Sequence, residues 1–223
     1  MITLTVTIEF IEEVLGMTPG DPDLYRSYIA TKIPTDLATN KRVEKISEEI
    51  QALEGTDAED AIDEIMAKSM TVFPRHEEKP IAFDYQWKGY FKDICGALQK
   101  AGEDEMSKES LKIKAYKKVI DGDIMVFPRH IPFNVKGELG LCQRPLRADT
   151  AQGSRIALAI SETIPAGSTM TFQVQCLGNK FTKAVVEWLN YGEFKGFGQW
   201  RNSSKGRFIV KKIETHEGRA TMR

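Results

Sequence analysis

Two segments far apart in the chain alternate strictly between apolar and polar residues, and they constrain the fold more than anything else in it. In residues 2–10 (ITLTVTIEF), Ile2, Leu4, Val6, Ile8 and Phe10 fall on one face and Thr3, Thr5, Thr7 and Glu9 on the other. Residues 169–177 (TMTFQVQCL) follow the same rule. A period of two marks a strand with one buried and one polar face, and threonine suits the pleated surface. A sheet made of such strands needs helices to cover its apolar side.

The intervening sequence supplies them. Residues 86–101 (QWKGYFKDICGALQKA) put Trp87, Phe91, Ile94, Cys95 and Leu98 on one stripe, with Lys88 and Lys92 one turn apart beside it. Residues 181–191 gather Phe181, Val185, Trp188 and Leu189, and Gly192 follows as a C-cap. Residues 21–68 carry shorter amphipathic runs, among them Val43, Ile46, Ile50 and Leu53, and predict an acidic helical insertion. Residues 70–85 read as a hairpin-like β segment whose Pro74 and Pro80 restrict it to edges or bulges. Further strands are expected at 113–120, 124–127, 131–135, 156–161 and 207–213, with loops at 103–110 and 137–153 and fraying from Thr215. This order predicts an α+β fold in one domain spanning 1–223: a ferredoxin-like or RRM-like antiparallel sheet with two packed helices and the acidic insertion at 21–68. One pentapeptide recurs without matching flanks, Val72-Phe73-Pro74-Arg75-His76 and Val126-Phe127-Pro128-Arg129-His130. It suggests related strand edges rather than a solenoid period.

Charge is split along the chain. Residues 1–70 carry a net of −9 and residues 71–223 a net of +8. Such polarity suits a basic surface for a polyanion, head-to-tail packing between copies, or two solvated faces. No window approaches the roughly 18 apolar residues of a membrane span, and the first residues lack the basic and apolar regions of a signal peptide. Three dispersed cysteines, Cys95, Cys142 and Cys176, read as reduced thiols in a cytoplasm. With three histidines in all, neither a metal centre nor another cofactor is expected.

Three segments could carry binding chemistry. Between the last helix and the last strand, Gly192–Phe208 combines Gly196, Gly198 and Gly206 with Lys195, Arg201, Lys205 and Arg207 and with the rings of Phe197 and Trp200. Glycines let backbone amides approach a ligand, cations neutralise phosphates and rings stack on bases, a combination suited to a single strand. Phe197 and Phe208 read mainly as core residues, and no P-loop spacing is present. Tyr85–Asp93 opens a helix, whose free amides attract phosphate, with Lys88 and Lys92 in support. Arg144, Arg147 and Arg155 lie in the stretch leading to a strand, where either phosphate contact or solvent and Asp149 would satisfy them.

In this order the segments resemble the RAMP superfamily, in particular the backbone subunits that coat guide RNA in CRISPR effector complexes. The helix start around Lys88-Gly89 loosely matches a "GSSxKGxxR" pattern. Glu162–Val174, with Pro165, Gly167, Ser168 and Phe172, resembles a strand entry of the form "E-x-(I/V)-P-x-G-(S/T)-x-F-x-F". Gly196–Phe208 looks like a stretched "GGxGSRGYGRV" loop. The resemblance spans residues 85–213 and implies a modified RRM-like fold, single-stranded RNA binding along a basic groove, and head-to-tail self-assembly. It also implies a stand-alone, phage- or prophage-borne relative located in the bacterial cytoplasm, since the chain departs from the usual subunits. Where some relatives place a cleaving aspartate after the first strand, this chain has the helical insertion, with Asp21 and Asp23 nearby but in no matching context.

The expectation is therefore a non-catalytic binder of single-stranded nucleic acid, RNA in preference to DNA. Lys88, Lys92, Arg144, Arg147, Arg155, Lys195, Arg201, Lys205 and Arg207 would neutralise the backbone, and Trp200 would stack. Its partners would be the strand, copies of itself and CRISPR effector subunits, with no membrane. Two alternatives stay open: an interaction protein that mimics a CRISPR backbone subunit, such as an anti-CRISPR, and a metal-independent ribonuclease using His76 or His130. Neither histidine has an acid–base partner legible in the sequence.

Overall fold

In the computed structural model the described residues are 1–20, 70–150 and 153–222, the side chains of 145–158 excepted. The predicted helical insertion at 21–68 lies outside them. The chain forms two compact units, one of residues 1–15, 73–140 and 163–223 and one of 16–72 and 141–162.

The first unit holds the two alternating strands, β1 (Ile2–Phe10) and β11 (Thr169–Cys176), antiparallel side by side with Val6 opposite Phe172. On the other side of β1 lies the last strand, β12 (Phe208–Glu217), and on the other side of β11 lies β7 (Ile124–Phe127). Helix α1 (Asp84–Ala101) falls between β1 and β7 in the chain, and α3 (Thr182–Asn190) between β11 and β12. Counting β1, β7, β11 and β12 as first to fourth, the spatial order is fourth, first, third, second. All contacts are antiparallel. This is the ferredoxin-like, RRM-like α+β arrangement predicted from the sequence. Beyond β11 the sheet continues through β8 (His130–Asn134), β6 (Lys79–Phe83) and β5 (Arg75–His76).

The alternation dictates the layers. Leu4, Val6, Ile8, Met170, Phe172 and Val174 are all buried, as are Trp87, Phe91, Ile94 and Leu98 of α1 and Val185, Trp188 and Leu189 of α3. Trp87 is the centre of this layer. Its ring stacks on Phe172 of the sheet at 4.3 Å and on Phe197 at 4.4 Å. Gln86 closes the helix start by accepting the Phe83 amide at 2.7 Å. The polar face is also ordered: Thr7 and Thr171 share a hydrogen bond at 3.1 Å, and Gln173 donates to Thr5 at 3.1 Å.

Three expectations are corrected. Residues 113–120 are not a strand; Tyr116–Asp123 is a helix, α2, that buries Ile120 and leaves its lysines outward. Its Tyr116 packs over Gly96 of α1, where an added Cβ would lie 2.6 Å from the phenol oxygen. The tail does not fray at Thr215, because β12 runs to Glu217 and the chain then docks on the polar face. There Gln173 accepts the amides of Thr221 and Met222 at 2.8 and 2.9 Å. The third correction concerns the second unit, which holds β3 (Thr18–Pro19), β4 (Thr71–Val72), most of β9 (Gly140–Thr150) and most of β10 (Gly153–Ile164). The arginine-rich stretch expected to be a loop is β9, paired with β10. A ladder satisfies the backbone whatever the side chains, so the polar composition hid it.

Replacing Trp87 by Ala removes the ring on which sheet, helix and loop converge. The expected loss is about 3–5 kcal/mol, read as a lower midpoint in urea unfolding followed by circular dichroism. An unchanged midpoint would show that the stack does not anchor the layer.

Candidate nucleic-acid interface

Two of the three segments singled out in the sequence meet in the first unit. Helix α1 and the loop 192–207 are joined through Trp87 and Phe197, and Tyr90 of α1 donates to the Trp188 carbonyl of α3 at 3.0 Å. On the outer side of this seam, Asp93 of α1 meets Lys195 at 2.7 Å and Arg201 at 2.5 Å. Burial alone would raise the Asp93 carboxyl. The Lys195 hydrogen bond and the charges of Arg201 and Lys195 outweigh it and hold the group below the usual range. Two cations on one acid leave the cluster net positive.

The glycines of the loop serve the loop itself. The Phe197 amide donates to Gly206 at 2.8 Å. A Cβ on Gly206 would fall 1.8 Å from the Phe197 carbonyl oxygen, and one on Gly196 2.2 Å from that of Lys205. Gly206 also adopts φ +70°, a region where glycine has no steric cost. The loop is thus closed on itself, with Phe197 and Phe208 in the core as the sequence suggested.

The other predicted cations on this unit have partners as well. Lys88 donates to the Asp121 carbonyl at 3.2 Å and Lys92 pairs with the Asp121 carboxylate at 2.5 Å. Lys205 pairs with Glu13, and Arg207 donates to the Glu193 carbonyl at 2.5 Å. Trp200 is half-buried at the head of a single 3-10 turn, with φ +52°. The third segment belongs to the second unit. Arg144 is half-buried on β9, Arg147 is on β9 and Arg155 on β10, the last two outside the described side chains.

The structure adds cations that sequence reasoning passed over. A cleft of about 560 Å³ is lined by Lys112, Lys114, Lys180 and Lys183, with Glu109 as its one acid. Glu109 is tied to Lys112 at 2.7 Å. A second cleft of about 460 Å³ is lined by Lys92, Lys100, Lys117 and Lys195, with Asp93 as its acid. Both draw on the segment from Lys112 to Val119. A rigid frame underlies the first: Glu187 of α3 accepts the amides of Glu109 and Ser110 at 2.7 and 2.9 Å, and the Trp188 indole donates to the Ser110 hydroxyl at 2.9 Å. The available signal was the run KIKAYKK at 112–118; the turn before α2 brings Lys112 and Lys114 to the first cleft, and α2 brings Lys117 to the second.

The described residues contain no cluster of three or more His, Cys, Asp or Glu able to hold a metal, and no described helix is long and apolar enough to cross a membrane. Burial pushes the thiols of Cys95 and Cys176 up to about 11, so both stay protonated at neutral pH.

No protein-family model and no curated protein matches the sequence. Among solved structures the chain is similar to one in the cryo-EM structure of the Type III-B Cmr-beta bound to cognate target RNA. The identity is 12% and the TM-score 0.48, over 96% of this chain and 60% of that one. The chain thus spans less than two thirds of the length of that neighbour.

Replacing Asp93 by Asn should cost about 0.5–1 kcal/mol at neutral pH, since the pair is part-exposed. The folded carboxyl titrates below its unfolded value, so its contribution is full above the unfolded pKa and fades as pH falls through the folded one. Urea midpoints of the two proteins should therefore differ near neutrality and converge in acid. A constant gap would assign the effect to packing instead.

Proposed function

We propose that this chain is a non-catalytic binder of single-stranded nucleic acid, RNA in preference to DNA, acting in a CRISPR-type ribonucleoprotein. The observation that carries the reading is the pair of lysine-lined clefts that flank residues 112–119, each with a single acid that is already paired. A strand laid along them would exchange condensed counterions for fixed ammonium groups, and the gain is entropic and independent of sequence. Lysine suits this task because its point charge follows a phosphate path without demanding a fork geometry. Lys195 and Arg201 share Asp93, so one positive charge remains for a phosphate there. Trp200 on the adjoining loop is the ring for stacking.

Three further features support this reading. The strand order is that of RRM-like folds. The sequence segments from 85 to 213 resemble RAMP backbone subunits. The acidic first third and basic remainder of the chain suit head-to-tail assembly along a strand, in which the acidic insertion of one copy would face the basic surface of the next. The RNA preference rests on the resemblance; contact with the 2′-hydroxyl would enforce it.

Fluorescence anisotropy with a labelled single strand tests the mechanism. The triple variant Lys114→Gln, Lys117→Gln, Lys183→Gln should lose at least about tenfold in affinity, and its log–log salt slope should fall by about 2, near 0.7 per lost phosphate contact. Affinity that is independent of salt, or a triple variant that binds as the parent does, would overturn the proposal. Light scattering on the purified protein, with the 260/280 nm ratio recorded, tests assembly: a large, nuclease-sensitive particle is expected, and a monomer free of nucleic acid would count against coating.

A further inference from the structure

The repeated Phe-Pro-Arg-His has no part in the surface described above, yet the fold brings its two copies together. Strand β5 ends the first copy and β8 begins with the last residue of the second; both flank β6, with His76 paired to Lys79 and Phe83 to His130. As a result the two imidazoles lie 4.5 Å apart, and His130 also meets the edge of Phe83 at 5.5 Å. The turn that delivers His76 is costly. Glu77 and Glu78 both adopt positive φ, +49° and +63°, where a two-residue hairpin normally uses Asn or Gly. Backbone held in such a region by residues unsuited to it is characteristic of sites where position matters.

Between the two copies is a cavity of about 330 Å³. Its polar wall is His76, Lys79, Arg129 and His130, with Glu77 as the single lining acid, and its floor is Ile81, Pro128 and Pro132. Lys79 and Arg129 are exposed, with no side-chain hydrogen bond or ion pair among the described residues. The charged groups around His130 come from several elements: His76 on β5, Glu77 in the turn, Lys79 on β6, Asp84 at the start of α1, and Arg129 before β8. Burial, then His76, then Arg129 disfavour the charged imidazole, and Asp84 only partly opposes them. The cavity is thus rich in donors and poor in acceptors, and it holds an imidazole that becomes charged more easily once an anion is present.

We infer that the cleft between His76 and His130 binds a phosphate oxyanion, carried by a nucleotide or free in solution. Arg129 offers the oxyanion a two-pronged contact and Lys79 a point charge. Each imidazolium donates one further hydrogen bond, and the apolar floor accepts the body of a nucleoside. Because the anion favours the protonated form of His130, binding takes up a proton and weakens as pH rises. The site shares no residue with the lysine clefts, and it is probed with a mononucleotide, so strand binding and this cleft can fail separately.

The test is NMR on the full chain with ¹⁵N-labelled histidine, titrated with adenosine 5′-monophosphate, inorganic phosphate and adenosine at about pH 6 and about pH 7.5. Both His76 and His130 signals should shift with the monophosphate, with affinity about tenfold weaker at the higher pH. Arg129→Gln should weaken binding about five- to tenfold, and Glu77→Gln should tighten it. If inorganic phosphate binds as well as the monophosphate, the ligand is the free oxyanion; if the monophosphate binds better, it is a nucleotide. Either result supports the site. Absence of shifts with both phosphates, equal response to adenosine, or Arg129→Gln and Glu77→Gln variants that bind like the parent would overturn it.

Discussion

Most of the first unit depends on one aromatic sandwich. The Trp87 ring lies between Phe172 of the central strand and Phe197 of the loop after α3, within 4.4 Å of each. Large flat rings bury much apolar area and tolerate only a few relative poses, so this contact sets the angle of α1 on the sheet and the height of the loop at once. Tyr90 and Trp188 extend it toward α3 through a hydrogen bond. Everything charged at the surface of the seam, from Asp93 to Arg201, is positioned by packing one layer below.

The electrostatics follow a common logic. Along α1 and the loop, cations are matched to acids: Asp93 takes two, Asp121 of α2 takes Lys92, and Glu13 after β1 takes Lys205. These pairs hold the framework. Around residues 112–119 and 180–183, lysines gather with few acids, and their mutual repulsion is a standing cost that a polyanion would relieve. The histidine cleft repeats the pattern on a smaller scale, with Lys79 and Arg129 facing the single acid Glu77.

Much of this was legible in the chain. The alternation of β1 and β11 named the buried and polar faces correctly, and the stripes of α1 and α3 were read to within about two residues. Phe197 and Phe208 were recognised as core. The environment of the candidate cations was less legible. Lys195, Arg201 and Lys205 look free in a linear sequence, but their partners Asp93 and Glu13 are more than a hundred residues away. Conversely, the lysines of 112–118 were spread over two faces of an expected strand, whereas the turn before α2 brings Lys112 and Lys114 to one cleft and α2 brings Lys117 to the other. The tail from Gly218 to Met222 shows no pattern of its own; its order comes from Gln173.

By itself the sequence determined what depends on nearest neighbours: periodicity, the apolar stripes of α1 and α3, and the excess of base over acid after residue 70. The tertiary structure decided what depends on pairing over distance. It chose which cations are neutralised, whether an arginine-rich stretch becomes a strand, and that two copies of one short motif meet as His76 against His130. The physical reason is that hydrophobic patterning acts along one element, whereas ion pairs, β ladders and clefts form only after chain closure has brought remote residues together, and nothing local in the sequence encodes that proximity.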